Sequence, residues 1–233
     1  MDGEPAPAGH AAIANPAPAR AAAPAALARQ AGGRAAALAV AAAIGRDARH
    51  ARLVILVEGV SDRLALAALA ERSGRDLTAA GVHVVPMGGA TNIGHFAGLL
   101  GPRGLGVPLA GLCDAGEEGD YRRGLARAGL GPLLTRADLE RAGFFVCDAD
   151  LEDELIRSLG VSAVQQVLAG QGDLASFRRF QRQPYQRLRP CEAQLRRFLG
   201  TRSGRKAQYA RLLAEALEPG RVPRPLQRVL ALR

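Results

Sequence analysis

The sequence predicts an α/β fold: a mostly parallel four-stranded sheet flanked by helices, followed by a basic C-terminal helical appendage. Three observations predict it. Short aliphatic, β-branched runs alternate with helix-length stretches from Leu53 to about residue 160. Strand-like runs then cease. Hydrophobic residues make up 48% of the 233-residue chain, enough for a packed core, and with no Trp and only 4% aromatics that core must be aliphatic.

Residues 1–24 are almost wholly Ala and Pro and read as a disordered tail, because they offer too little apolar surface to offset the entropy of ordering. Residues 25–50 read as a helical lead-in weakened at Gly32 and Gly33. A central α/β domain follows at 51–160. Its first strand is LVILV from Leu53, a run suited to burial on both faces. Ser61 can cap the helix that runs to about Arg72. The second strand is Val82–Val85, and after the Gly88-Gly89 turn Thr91 can cap a short helix to about Leu100. Pro108–Cys113 is the third strand, with helices at about 119–129 and 135–142, the latter capped by Thr135. Phe144–Cys147 is the fourth strand, and a helix starts near Asp150. Residues 161–233 read as the appendage, with helices at 161–169, 173–181, 191–199, 203–217 and 223–231.

Charge divides the chain. The net charge is +9, yet residues 157–233 carry fifteen Arg and one Lys against Asp173, Glu192, Glu215 and Glu218, so the first 156 residues are net acidic. Such a split suits a protein in which one part grips a polyanion and the other holds cations. Cys113, Cys147 and Cys191 are odd in number and form no C-x-x-C, which predicts free thiols in a reducing compartment and no structural zinc. No apolar run approaches the roughly 18 residues of a membrane span. These features predict a cytoplasmic location.

Acids fall where strands end. Glu58 follows the first strand, Asp62 lies one helical turn on, and Asp114 ends the third strand. Asp148, Asp150, Glu152, Asp153 and Glu154 crowd behind the fourth. In an open parallel sheet the carboxyl ends of neighbouring strands border one crevice. Carboxylates that converge there repel unless a cation sits among them, and oxygen-only ligands select Mg²⁺ or Mn²⁺. An acid at a helix start is ordinary dipole chemistry, which accounts for Asp153. It does not account for Glu58, which lies between a buried strand and a Gly.

The stretches LVILVEGVSD, LCDAG and DLEDEL resemble the Toprim domain, and within it the Toprim part of the overcoming-lysogenization-defect (OLD) nucleases, over roughly residues 52–160. The resemblance implies a metal-dependent phosphodiester hydrolase or nucleotidyl transferase, with Glu58 as metal ligand and catalytic group. It implies Asp62, Asp114, and one or more of Asp150, Glu152 and Glu154 as further metal ligands. The chain departs from the pattern at Gly116, which stands where the second Asp of an Asp-x-Asp pair is expected; Glu117, Glu118 or Asp120 could compensate if the loop curls back. OLD nucleases carry an ATPase domain ahead of Toprim. No G-x-x-x-x-G-K-[ST] occurs here, so an ATPase, where one is needed, falls to a separate partner.

Between Arg178 and Arg211 lie eleven basic residues and one acid, interleaved with Phe177, Phe180, Tyr185, Phe198 and Tyr209. Arg178, Arg179, Arg182, Arg187, Arg196, Arg197, Arg202 and Arg205 are the expected nucleic-acid contacts. The aromatics read equally as a core stripe or as a stacking platform. Lys206 is the only lysine in the chain. A chain that otherwise uses Arg throughout would keep Lys where a compact ammonium is needed, so Lys206 is a candidate catalytic cation. The OLD resemblance also implies a basic residue after the acidic motifs, and TRSGRK is a suitable stretch. The leading reading is a DNA endonuclease or nickase. Tyr121, Tyr185 and Tyr209 lack the context of a topoisomerase nucleophile, and no zinc module supports a primase. RNA processing stays open, as does a non-catalytic module that binds nucleic acid or docks to a partner through a degraded Toprim site.

Overall fold

The structure is a computed structural model that describes residues 33–47, 50–202 and 204–232. The tail expected at 1–24, and the lead-in before Gly33, lie outside the described residues. Strands β1 (Leu53–Val57), β2 (Val82–Pro86), β3 (Leu109–Asp114) and β4 (Phe144–Cys147) form one sheet in the order β2-β1-β3-β4. All three pairings are parallel, with Val57 opposite Pro86 and Asp114 opposite Cys147 at the carboxyl ends.

Every residue of β1 is buried, because helices cover both faces of the sheet. Side chains alternate between two cores. Val54, Leu56, Val85, Phe144 and Val146 face helices α1 (Gly33–Arg46), α3 (Ile93–Leu100), α4 (Glu118–Arg127) and α5 (Arg136–Arg141). The Tyr121 hydroxyl ties α4 to the sheet by donating to the Leu112 carbonyl at 2.7 Å. Leu53, Ile55, Val57, Leu112 and Phe145 face α2 (Val60–Arg72), α6 (Leu151–Leu159) and the helices beyond residue 160.

Those later helices are α7 (Val161–Gly170), α8 (Leu174–Gln181), α9 (Pro184–Arg187), α10 (Cys191–Leu199), α11 (Arg205–Ala216) and α12 (Arg224–Ala231). The boundary expected at residue 160 marks no break in the core: Phe177, Leu195, Phe198, Tyr209, Leu213, Leu226 and Val229 belong to the same cluster as Ile55 and Phe145. Tyr209, Ala210, Leu213 and Ala214 give α11 the i, i+4 stripe that packs on α2. Burial of each large side chain contributes about 1.5–3 kcal/mol.

Two expected caps differ. Gly59, not Ser61, precedes α2, and the Asp62 carboxylate accepts from the Gly59 amide at 2.8 Å. A 3₁₀ turn at Ala90–Asn92 comes before α3, so Asn92 rather than Thr91 holds the cap position. Thr135 does cap α5, accepting from the Asp138 amide. All three cysteines are free, with Cys113 and Cys147 buried. Among the described residues no helix is long and apolar enough to cross a membrane.

Candidate functional site

The carboxyl edge of the sheet carries the acids. Glu58 leaves β1, and its carbonyl accepts from the amides of Gly88 at 3.0 Å and Gly89 at 3.2 Å, so the turn after β2 fixes the backbone that bears it. Asp62, one turn into α2, is held by the Gly59 amide. Asp114 ends β3, between β1 and β4. Asp150 caps α6, accepting from the Asp153 amide at 2.8 Å, and its other oxygen accepts from Arg196 Nε at 2.6 Å. Glu152 is buried, and its Oε2 lies 3.1 Å from Lys206 Nζ.

These groups act on one another. Burial, then the Asp62, Glu58 and Asp150 charges, push Asp114 up to about 8, against the opposing pull of Lys206. Asp62 is pushed up to about 6, chiefly by burial and further by Glu58, while the Gly59 amide and Lys206 oppose the shift. Glu152 rises to about 7, with burial outweighing the attraction of Lys206. For Lys206, burial alone would favour the neutral amine; Glu152, Asp62 and Asp150 outweigh it and hold the ammonium charged above its ordinary range. Lys206 thus reaches from the start of α11 across to the strand-end acids. Within the stretch TRSGRK it opens a helix after Gly204, whose φ of +80° suits Gly.

The loop after β3 curls back as a 3₁₀ turn, Ala115–Glu117, and of the three acids there only Glu117 reaches the group. Burial and then the Glu58 charge raise its carboxyl. Glu118 is instead paired with Arg122 and Arg136, and Asp120 with Arg123. An added Cβ at Gly116 would meet nothing within 4 Å, so packing does not explain the missing Asp.

Two expected site residues lie elsewhere. Glu154 accepts from the Asp148 amide at 2.9 Å and pairs with Arg157 at 2.7 Å. The reason is helical geometry: residues two apart on α6 point about 200° apart, so Glu152 facing Lys206 turns Glu154 away. Glu154 borders a separate cleft of about 370 Å³ with Arg136, Asp148 and Arg157. Arg205 is not a surface cation. It is buried, pairs with Asp173 at 3.1 Å and lies over the Phe198 ring at 4.2 Å. Phe177, Phe198 and Tyr209 are likewise core residues, not a stacking platform.

Arg178, Arg179, Arg182, Arg187, Arg196, Arg197 and Arg202 are exposed. A cleft of about 660 Å³ joins the two charges: Asp150, Glu152 and Lys206 border it together with Phe180, Arg189, Arg196 and Arg197. Arg189 was not among the contacts expected from sequence; like Glu117, it is one of several equivalent charges in a row, and only the loop path selects it.

Among the described residues no group of three or more His, Cys, Asp or Glu side chains is gathered closely enough to hold a metal ion as it stands. The donor chemistry nevertheless fits a hard divalent cation. The donors are oxygens only, Asp62, Asp114, Glu117 and Glu152 have carboxyls raised by burial and by neighbouring carboxylates, and Glu117 Oε2 and Glu152 Oε1 are buried without a hydrogen-bond partner.

Comparison with known proteins adds independent support. A family model described as the overcoming lysogenization defect protein-like TOPRIM domain matches residues 50–115. The structure is similar to the C-terminal region of the Xanthomonas campestris pv. campestris OLD protein, at 26% identity and a TM-score of 0.62, covering 79% of this chain and 92% of that one. It also shares the fold of the C-terminal region of the Burkholderia pseudomallei OLD protein, at 24% identity and a TM-score of 0.55, covering 77% of this chain and 95% of that one. Among curated proteins no relative matches. β1, the Glu58 turn and β3 all lie inside the residues that match the OLD-like TOPRIM domain model, so the likeness falls on the strand ends that bear Glu58 and Asp114.

Proposed function

We propose that this chain hydrolyses phosphodiester bonds in nucleic acid, as a DNA endonuclease or nickase that uses Mg²⁺ or Mn²⁺. One observation carries the reading: the sole lysine of the chain lies 3.1 Å from buried Glu152, among coupled acids from three strand ends, at the mouth of a cleft lined with arginines. An Arg-lined approach suits a phosphate backbone, and the acids at its end suit a cation that meets the scissile phosphate.

Glu58, Asp62 and Asp114 would hold the cation, with Asp150, Glu152 and Glu117 around it. When bound, a divalent cation stabilises charge on the phosphoryl oxygens and acidifies the attacking water. Glu58 stands at the centre of the edge, beside Gly59, and would take the proton of the attacking water on its carboxylate as the P–O bond to the leaving sugar oxygen breaks and that oxygen is protonated from solvent. Lys206 presents its ammonium to the phosphate and offsets the charge that develops there. Arg189, Arg196 and Arg197 hold the backbone on either side.

The decisive experiment is plasmid nicking by the purified protein with Mn²⁺ or Mg²⁺. Cleavage should stop with EDTA and disappear in Glu58→Gln, whose circular dichroism and melting temperature stay close to those of the parent. Full cleavage by Glu58→Gln would remove the site from these residues. Gly116 favours one further reading, a module that binds without cutting; binding of DNA with no nicking under any divalent ion would establish it.

A further inference from the structure

The arm between α8 and α10 presents apolar side chains to solvent on a braced backbone. Tyr185 is 85% exposed and Leu188 96% exposed, three residues apart on α9 and its C-terminal cap, so they sit side by side. Isolated exposed hydrophobics are ordinary and need no explanation. This pair differs in how it is held. Buried Gln194 donates to the Gln186 carbonyl at 2.7 Å and the Arg189 carbonyl at 3.0 Å, and itself accepts from Gln181 at 2.6 Å. Arg187 Nε donates to the Arg182 carbonyl at 3.0 Å, and Arg189 Nε to the Tyr185 carbonyl at 3.1 Å. The arm is therefore fixed before any partner arrives, which lowers the ordering cost of binding.

Charge identifies the partner. No acid occurs between Asp173 and Glu192, while Arg182, Arg187 and Arg189 flank the tip and are exposed. Arg189 also lines the cleft that contains Glu152 and Lys206, so the tip stands beside the candidate site. Apolar side chains that unstack a base step, framed by cations on the adjacent phosphates, are the means by which proteins kink a duplex. We propose that the 182–190 arm is a wedge that enters a nucleic-acid duplex next to the site, Tyr185 and Leu188 parting stacked base pairs while Arg182 and Arg187 hold the flanking phosphates. The inference rests on the reading of the chain as acting on nucleic acid, but not on cleavage.

The test uses the full chain in EDTA, with a short DNA duplex carrying 2-aminopurine at successive positions. Binding should raise the fluorescence at one or two adjacent positions as the probe is unstacked. Tyr185→Ser combined with Leu188→Ser should abolish that rise and weaken duplex binding about tenfold, the equivalent of about 1.4 kcal/mol. Affinity for the corresponding single strand should not change, and Tyr185→Phe should keep the rise. Both positions are solvent-exposed, so folding is not at risk. Duplex binding by the parent without any rise, or an unchanged rise in the double variant, overturns the wedge and leaves the cleavage reading standing. A change of oligomeric state in the double variant with duplex binding intact assigns the tip to a protein contact and overturns the wedge. Absence of salt-sensitive duplex binding by the parent overturns both readings.

Discussion

Lys206 shows how much one side chain can decide. An arginine chain that retains a single lysine suggests a site for a compact ammonium, and the structure places that ammonium against Glu152, with Asp62 and Asp150 near enough to hold it charged. An arginine there would keep the charge but carry a longer, planar group. Lys206→Arg should therefore retain DNA affinity and salt dependence while kcat falls about a hundredfold, the scale expected for loss of a fixed transition-state donor. Steady-state nicking kinetics read this directly; unchanged turnover would reduce Lys206 to a backbone clamp. Arg205 makes the opposite point. Its neighbour in sequence reaches the acids, whereas Arg205 turns into the protein to meet Asp173 and the Phe198 ring.

At the scale of elements, helix α6 sorts a run of acids by direction. Asp150 caps it, Glu152 faces Lys206, and Glu154 faces Arg157 and the Asp148 amide. The two buried glutamates should therefore respond differently. Glu152→Gln should depress metal-dependent cleavage at least tenfold and raise the Mn²⁺ concentration needed for half-maximal activity. Glu154→Gln should leave that concentration unchanged and lower thermal stability by about 1 kcal/mol, because the buried carboxylate loses its charge pairing with half-exposed Arg157. Metal titrations of nicking alongside melting curves separate the two; equal metal dependence in both variants would contradict the division of the helix. The 3₁₀ turn after β3 sorts in the same manner, bringing Glu117 to Glu58 and leaving Glu118 and Asp120 in arginine pairs.

For the whole molecule, gathering acids at one edge has a cost that depends on pH. Asp62, Glu152 and Asp114 titrate at about 6, 7 and 8 in the folded protein, against about 4 in an unfolded chain. Between those limits the folded state binds more protons than the unfolded state, so stability must fall as pH rises. In EDTA the melting temperature should decline from about pH 5 to about pH 8, and Asp114→Asn should flatten that decline. Mn²⁺, which binds the ionised carboxylates of the folded state, should restore stability most at the alkaline end. A melting temperature in EDTA that rises steadily over this window in both proteins would mean the acids do not share one buried environment.

The sequence by itself determined the four strands, their parallel order of appearance and the acids at their ends, because these are local signals. LVILV reads as a strand buried on two faces, and Glu58 follows it wherever the chain goes next. The similarity of residues 50–115 to the OLD-like TOPRIM domain was legible for the same reason: the motifs that carry it are short and sit at strand ends. What only the tertiary structure decided is direction and long-range placement. Glu152 and Glu154 are equivalent as letters, as are Glu117, Glu118 and Asp120, and a turn or a helix phase separates them. Phe177, Phe198 and Tyr209 fit a stacking surface or a core until the sheet is laid beneath them. The helices after residue 160 show no strand partner in sequence, yet they close one face of the sheet and carry Lys206 back to its carboxyl edge. Local patterns record which side of an element is apolar; only packing settles what that side meets.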